Sequence, residues 1–122
     1  MLPLAAFIQL RQANPSVTVL FLSGAVDEYR TNLPESYYLH DVNGNRIEGW
    51  PGQYYLNFTN PATQAYRANL CYQSIVSNNL MYDGCYFDTF FYPGILNQQA
   101  DYLGNVHLVD AFGTGQQTDQ QL

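Results

Sequence analysis

The stretch that most constrains the fold is residues 81–91, where an Asp-Gly turn leads directly into a run of apolar and aromatic residues. Asp83 and Gly84 both tolerate the backbone angles that reverse a chain. The run that follows, Cys85–Phe91, is typical of a strand buried on both faces. One carboxylate, Asp88, interrupts it near the carboxyl end. Because burial of an unpaired charge is costly, Asp88 is either paired or a catalytic group at the mouth of a strand, and the structural alternative is a cap on the following loop.

Two apolar segments near the start of the chain predict a helix followed by a strand. Leu4–Ala13 has the apolar spacing of an amphipathic helix. Asn14-Pro15 is expected to end this helix, because the residue before a proline avoids the helical region. Val17–Leu22 is β-branched and nearly all apolar, which favours a central parallel strand.

The middle of the chain completes a strand–helix–strand pattern. A strand is predicted over 53–58, and Asn60-Pro61 then supplies the N-cap and first residue of a helix that runs to about Asn78. Strand, helix and strand in this order form a right-handed parallel unit. We therefore expect an α/β fold with one parallel sheet, its strands 17–22, 53–58 and 85–91 lying in that spatial order.

Strand alternation divides the last of these strands into two faces. One face carries Gly84, Tyr86 and Asp88. Cys85 and Phe87 lie on the other face, which we expect to pack against the preceding helix. Asp88 would then point inward at the carboxyl end of the sheet.

Composition narrows the classes of partner. The chain has a formal net charge of -6, four arginines and no lysine, which argues against a nucleic-acid backbone as partner. The excess of tyrosine, asparagine and glutamine suits contact with neutral polar ligands such as carbohydrates. Met1–Leu10 is apolar but too short to span a membrane, so we expect no membrane partner. Nothing in the sequence encodes a cellular location.

No motif predicts a metal or a cofactor. Cys71 and Cys85 lack a metal-binding spacing; buried free thiols are favoured, and a disulfide is the alternative. Residues 41–46 predict an Asn-Gly hairpin, and their alternating oxygen side chains do not match a calcium loop because the glycine is misplaced and no glutamate closes it. Residues 113–115 are not a phosphate loop, since no lysine follows.

The order of several short motifs resembles that of glycoside hydrolase barrels with a D-G-x-F-x-D strand motif. The matching pieces are Asn14-Pro15 with the strand to Leu22, Asp41 to Asn45 leading to Trp50-Pro51-Gly52, residues 56–61 with Tyr66, and Tyr82-Asp83-Gly84 with Phe87-Asp88. They cover roughly residues 14–92. The resemblance implies a (β/α)8 TIM barrel and places Asp88 at the end of its fourth strand, as a nucleophile or electrostatic stabiliser. Thr89 stands where asparagine is more usual.

Four further residues are expected to bind the carbohydrate. They are Ser23 and Asn57 at the ends of neighbouring strands, Tyr86 on the face of Asp88, and Trp50 as a stacking platform. For Trp50 the alternative is a lid over the core.

A complete barrel needs eight strands in about 250 residues, so residues 1–122 are predicted to form a single domain of about half a barrel. Its exposed sheet edge favours self-association. Glycoside hydrolysis needs two carboxyl groups. The loop candidates for the second are Asp27, Glu28, Asp101 and Asp110, each of which we interpret as a solvated loop charge. The isolated chain is therefore expected to be inactive, and the alternative function is a non-catalytic carbohydrate-binding or assembly protein.

Overall fold

The computed structural model describes residues 3–24, 26–78, 81–88 and 97–118. Its regular elements in these ranges are α1 (Leu4–Ala13), β1 (Leu20–Gly24), β2 (Asp27–Glu28), a 3-10 turn (Glu35–Tyr37), β3 (Glu48–Trp50), β4 (Gln53–Tyr55), α2 (Pro61–Ser77), β5 (Gly84–Asp88), β6 (Gln98–Ala100) and β7 (Val106–Leu108). The strands form three sheets, with orders β1-β5, β2-β4-β3 and β6-β7. Neither helix has the length and hydropathy needed to cross a bilayer.

Both predicted helices are confirmed. The end of α1 and the start of α2 lie at the predicted residues. α1 stops at Asn14, whose backbone N–H still donates to Leu10 O at 2.9 Å before Pro15 interrupts the helix. α2 starts after Asn60, whose side-chain oxygen accepts from Ala62 N at 2.9 Å. This bond satisfies one of the amides left unpaired at a helix start.

The parallel pair of β1 and β5 joins the predicted first and last strands. Their register runs from Leu20 opposite Gly84 to Gly24 opposite Asp88. β1 begins three residues later than predicted and continues to Gly24. For the last strand the structure describes Gly84–Asp88, and positions 89–91 of the prediction lie outside the described residues.

The prediction that residues 53–58 lie in this parallel sheet is wrong. β4 pairs antiparallel with both β2 and β3, and β1 lies directly beside β5. The reason is the turn at Pro51-Gly52, where Gly52 has a φ of 76° and its N–H donates to Glu48 Oε1 at 2.5 Å. A two-residue turn returns the chain to its neighbour at small entropic cost, whereas a parallel crossover must order many more residues. The larger half-barrel architecture stays a prediction.

Two apolar clusters support the sheets. One contains Phe7, Val19 and Tyr82, and the ring of Phe7 meets that of Tyr82 edge-on at 4.8 Å. This cluster fixes α1 against the start of β1 and the residues that lead into β5. The other cluster contains Leu39, Ile47, Val109 and Ala111, and it joins the segment before β3 to the segment after β7.

A disulfide joins Cys71 of α2 to Cys85 of β5, with a Cα–Cα distance of 6.0 Å. The interpretation of these cysteines as free thiols is therefore wrong. Packing of α2 back onto β5 brings two residues 14 positions apart to the usual spacing of a disulfide. The predicted orientation of Cys85 toward the helix is confirmed.

The opposite face of the parallel pair carries exposed apolar side chains. Leu22 is 63% exposed and Tyr86 is 56% exposed, and Leu20 is also exposed. Self-association through the sheet was predicted from such exposure, and it stays a prediction.

Two turns share the sequence Asp-x-x-Gly-Asn and the same geometry. In the first, Asp41 Oδ1 accepts from the backbone N–H groups of Asn43 at 2.9 Å and Asn45 at 3.0 Å. In the second, Asp101 Oδ1 accepts from Leu103 at 3.0 Å and Asn105 at 2.9 Å. Their glycines, Gly44 and Gly104, have φ values of 83° and 86°, which a side chain rarely allows. The predicted hairpin at residues 41–46 is confirmed, and its aspartate serves the backbone.

His107 of β7 links these two turns. Its Nδ1 lies 3.0 Å from Asp41 Oδ2, and its Nε2 lies 2.9 Å from Asp101 Oδ2. The hydrogen bonds to Asp101 and Asp41 raise the pKa of His107. The hydrogen bond from His107, together with those from Asn105 and from backbone N–H groups, lowers the pKa of Asp101 to about 2. Protonated His107 therefore ties the two turns together by two charge-assisted hydrogen bonds.

We expect the free energy of unfolding to fall as the pH rises above about 6.5. The folded-state pKa of His107 lies above its ordinary 6.5, so its stabilisation is complete below about pH 6.5 and is lost as the pH passes the folded-state pKa. Urea denaturation across this range measures the effect. His107→Gln should flatten the dependence, and an imidazole that titrates at or below 6.5 by NMR would contradict the prediction.

Candidate functional site

The carboxyl ends of β1 and β5 meet at one edge of the parallel pair. Ser23 lies opposite Phe87, and Gly24 lies opposite Asp88, the last residue of β5. Directly opposed residues of parallel strands point to the same side of the sheet. The side chain of Asp88 is exposed. It projects from the same face of the sheet as a side chain at position 24 would.

Asp27 occupies that space above Gly24. A methyl group on Gly24 would lie 2.9 Å from Asp27 Oδ1, so a glycine leaves room for this carboxylate. Asp27 Oδ1 is buried and has no hydrogen-bond partner in the part of the chain that the structure describes. The interpretation of Asp27 as a solvated loop charge is therefore wrong. Asp27 Oδ1 thus lies against Gly24, whose strand neighbour is Asp88.

Glu28, the next residue, lies in a buried ionic network. Its side chain is fully buried, and its Oε1 accepts from the Arg30 backbone N–H at 2.9 Å and from the Arg30 guanidinium at 3.1 Å. Its Oε2 accepts from the Tyr66 hydroxyl at 2.8 Å and lies 3.5 Å from Arg67 Nη1. Burial and the bond to Glu28 raise the pKa of Tyr66 to about 12. Glu28 is therefore a buried structural acid joining β2 to α2, and the prediction of a solvated charge is wrong.

The carboxylates of Asp101 and Asp110 also accept hydrogen bonds within the protein. The interpretation of both as solvated charges is therefore wrong. Asp101 bonds to His107, as described above. Asp110 is buried, and its carboxylate accepts from Thr114 N at 3.0 Å and Gly115 N at 2.7 Å. Burial alone would raise the pKa of Asp110, but these backbone hydrogen bonds outweigh it and the pKa is lowered. Both aspartates hold turns.

The other predicted sugar-binding residues are distributed over two sheets. Ser23 and Tyr86 lie on β1 and β5 near Asp88, whereas Trp50 is exposed at the end of β3. Asn57 is buried, and its amide group donates to Ala111 O at 2.7 Å and accepts from the Thr59 hydroxyl at 2.6 Å. The polar atoms of Asn57 are thus engaged in holding the chain near Ala111.

Two cavities adjoin these residues. A cavity of about 270 Å³ is lined by Ser23, Gly24 and Asp27 at the end of β1 and by Arg67 and Ser74 of α2, among others. A wider one of about 700 Å³ is bounded by Asn57, Asp110 and the first Asp-x-x-Gly-Asn turn. Within the described ranges, no three His, Cys, Asp or Glu residues are arranged to hold a metal ion.

Comparison with known protein families identifies the class. The profile described as hypothetical glycosyl hydrolase family 15 matches residues 22–117, a segment that contains Asp27, Asp88 and each predicted sugar-binding residue. This match indicates the class of the glycoside hydrolases. The chain belongs to hypothetical glycosyl hydrolase family 15. No curated protein and no solved structure matches it.

Asp88 stood out in the sequence, whereas Asp27 was only one of four loop candidates for the second carboxyl group, each of them interpreted as a solvated charge. A signal was present in Gly24, because a glycine at the end of a strand allows a close approach by another group. The identity of that group depends on which residue the tertiary structure brings against Gly24, which no local pattern encodes.

Proposed function

We propose that this chain contributes the catalytic edge of a glycoside hydrolase that acts on O-glycosidic bonds, built on part of a (β/α)8 barrel. The supporting observation is the pair of aspartates at the end of the parallel strands. Asp27 Oδ1 lies against Gly24, and Gly24 is the direct strand neighbour of Asp88. Two carboxyl groups near the carboxyl edge of a parallel pair would supply the two groups that glycoside hydrolysis needs.

The two carboxyl groups take different roles in the proposed reaction. The Asp27 carboxyl group gives its proton to the glycosidic oxygen as the bond from that oxygen to the anomeric carbon breaks. The Asp88 carboxylate faces the positive charge that develops at the anomeric carbon, as a nucleophile or electrostatic stabiliser. Water then attacks the anomeric carbon and, where Asp88 has acted as nucleophile, breaks the bond between them and releases the carboxylate; the remaining proton of the water restores the acid. Tyr86, exposed on the same face, offers an aromatic surface for the sugar ring.

Because the proposal adds Asp27 as the second carboxyl group, it expects activity where the sequence predicted an inactive chain, and turnover of activated aryl glycosides tests it. We expect Asp88→Asn and Asp27→Asn each to lower kcat/KM by at least about 10²-fold, because each removes a group that acts in the transition state. Glu48→Gln is the matched control, since Glu48 lies in β3 and a glutamine retains the acceptor for Gly52 N. Hydrolysis that survives both aspartate changes would overturn the proposal. Saturable sugar binding without turnover would favour the alternative of a carbohydrate-binding protein.

Asp88→Asn should also leave the free energy of unfolding unchanged or slightly increased, because a residue selected for chemistry often costs stability. A cap on the following loop would instead lose about 0.5–2 kcal/mol on the same change. Urea denaturation of the variant beside the turnover assay separates these roles. Lost stability with intact turnover would show that Asp88 is structural.

A further inference from the structure

The wider of the two cavities, of about 700 Å³, takes no part in the proposed proton transfer or nucleophilic step. Three segments form its walls: the first Asp-x-x-Gly-Asn turn, residues 57–60 before α2, and residues 110–115 after β7. Its volume lies within the range of about 300–1,000 Å³ that sites for drug-sized ligands occupy. The cavity is therefore large enough for a ligand with more than one ring.

Hydrogen bonds within the protein hold these walls in place. The carboxylates of Asp41 and Asp110 each accept backbone hydrogen bonds within their own wall. The backbone N–H of Asp110 donates to His40 O at 2.9 Å, which joins the third wall to the residue before the first turn. The Asn57 side chain donates to Ala111 O at 2.7 Å, which joins the second wall to the third. A ligand thus meets preformed walls, and this lowers the entropic cost of binding.

The lining offers a ligand an aromatic ring and neutral polar groups that it can reach. Phe112 is 56% exposed, and Ser36 and Asn43 are exposed as well. In the described ranges, Ser36 and Asn43 make their hydrogen bonds through backbone atoms, which leaves the hydroxyl and the amide available. A sugar ring has an apolar C–H face for an aromatic ring and hydroxyl groups that both donate and accept. The lining therefore suits a sugar.

The charge of the lining argues against an anionic ligand. Its acidic side chains are Asp41 and Asp110, and no arginine lines the cavity. Burial alone would raise the pKa of both aspartates, but hydrogen bonds from His107 and from backbone N–H groups outweigh it and both pKa values are lowered. Two fixed negative charges repel a phosphate or a uronic acid. All four carboxylate oxygens already accept hydrogen bonds from the protein, so neither aspartate depends on a cationic ligand for a partner.

The cavity lies close to the proposed catalytic edge. Asn57, which lines it, is two residues after Tyr55, the strand partner of Asp27. Leu56, between them, donates its N–H to Val26 O at 2.7 Å. Extended backbone rises about 3.3 Å per residue and paired strands lie about 5 Å apart, so the Cα atoms of Asn57 and Asp27 lie within about 10 Å of each other. A ligand in the cavity is thus close to the proposed acid.

We propose that this cavity binds a neutral oligosaccharide segment of more than one sugar unit, with Phe112 as the stacking surface and Ser36 and Asn43 as hydrogen-bonding groups. The choice of a sugar among neutral polar ligands rests on the proposed function. The site defines a substrate class for that function, a neutral sugar chain instead of a single sugar or an acidic polysaccharide.

Isothermal titration calorimetry measures this binding. The probes are cellotriose, maltotriose, xylotriose and mannotriose, with trigalacturonate as the acidic counterpart. Each is added to the intact chain and, to exclude heat from cleavage, to Asp88→Asn. We expect saturable binding of at least one neutral trisaccharide and no binding of trigalacturonate.

Variants of the lining locate the bound sugar. Phe112→Ala should weaken the binding at least tenfold because it removes the stacking surface, whereas Phe112→Tyr should retain it. Tyr72→Ala is the matched control, since Tyr72 is also an exposed aromatic residue, at 61%, but lies on α2 outside the cavity lining. Asn43→Ala removes an exposed amide and should also weaken the binding, so it decides the question if Phe112→Ala does not fold.

The outcomes separate the site from the proposed function. Binding that Phe112→Ala weakens and Tyr72→Ala retains supports the site. Absence of binding by all four neutral trisaccharides overturns it, as does affinity that survives Phe112→Ala or equal affinity for trigalacturonate. Turnover of aryl glycosides by a chain that binds no trisaccharide would overturn the site while the proposed function stands. Binding that depends on Phe112 without any turnover would retain the site and overturn the proposed function.

Discussion

Glu28→Gln is expected to lower the free energy of unfolding by about 3–5 kcal/mol, as the loss of one partner from a buried ion pair does. The carboxylate of Glu28 is fully buried and is the common partner of Arg30, Tyr66 and Arg67. A neutral amide leaves the nearly buried guanidinium of Arg67 without its counter-charge. Chemical denaturation measures the change.

Glu35→Gln is the matched control for this variant. Glu35 also pairs with an arginine, Arg46, but its side chain is 61% exposed. Hydrogen bonds from Arg46 and His40 lower its pKa to about 2, yet solvent screening limits the contribution of such a pair to about 1 kcal/mol or less. The prediction fails if Glu28→Gln destabilises the chain no more than Glu35→Gln does.

Removal of the disulfide is expected to lower the free energy of unfolding by about 3 kcal/mol, the value for a closed loop of about 15 residues. Cys71 and Cys85 are 14 positions apart, and their bond attaches α2 to the strand that ends in Asp88. The unfolded chain without the bond has more conformations to lose on folding. Urea denaturation of Cys71→Ser and of the unmodified chain, each with and without reductant, measures the effect.

The variant and the reductant act on the same bond, so their effects should not add. Reductant is expected to shift the unfolding midpoint of the unmodified chain and to leave that of Cys71→Ser unchanged. An unmodified chain whose midpoint ignores the reductant would show that the bond contributes nothing. Disulfides persist under oxidising conditions, so turnover and sugar binding are best measured without reductant.

The helices and the two parallel strands could be predicted because their determinants are local. Pro15 ends α1, and Asn60 with Pro61 begins α2, through backbone bonds and angles that involve residues a few positions apart. The apolar runs at β1 and β5 are short and continuous, which is the pattern of buried parallel strands, although the prediction placed residues 53–58 between them. The turn at residues 41–46 belongs to the same group, since Asp41 and Gly44 determine it within five positions.

The site was only half predictable. Asp88 stands out in the sequence because it is a charge inside an apolar run. Asp27 and Glu28 are adjacent in the sequence and look alike there, yet one carboxylate lies against Gly24 and the other lies in a network with Arg30, Tyr66 and Arg67. Their different roles come from contacts with residues up to 40 positions away, such as Arg67 against Asp27 O.

The sequence by itself therefore determined the two helices, the parallel direction of the strands β1 and β5, and Asp88 at the carboxyl end of β5. Tertiary structure alone decided that β1 lies directly beside β5, that β4 turns back on β3, that Cys71 bonds to Cys85, and that Asp27 Oδ1 lies against Gly24. The physical reason is the range of the interactions. Caps, prolines and apolar periodicity act over a few residues, whereas strand partners, disulfides and buried charges depend on which distant segments the packing brings together.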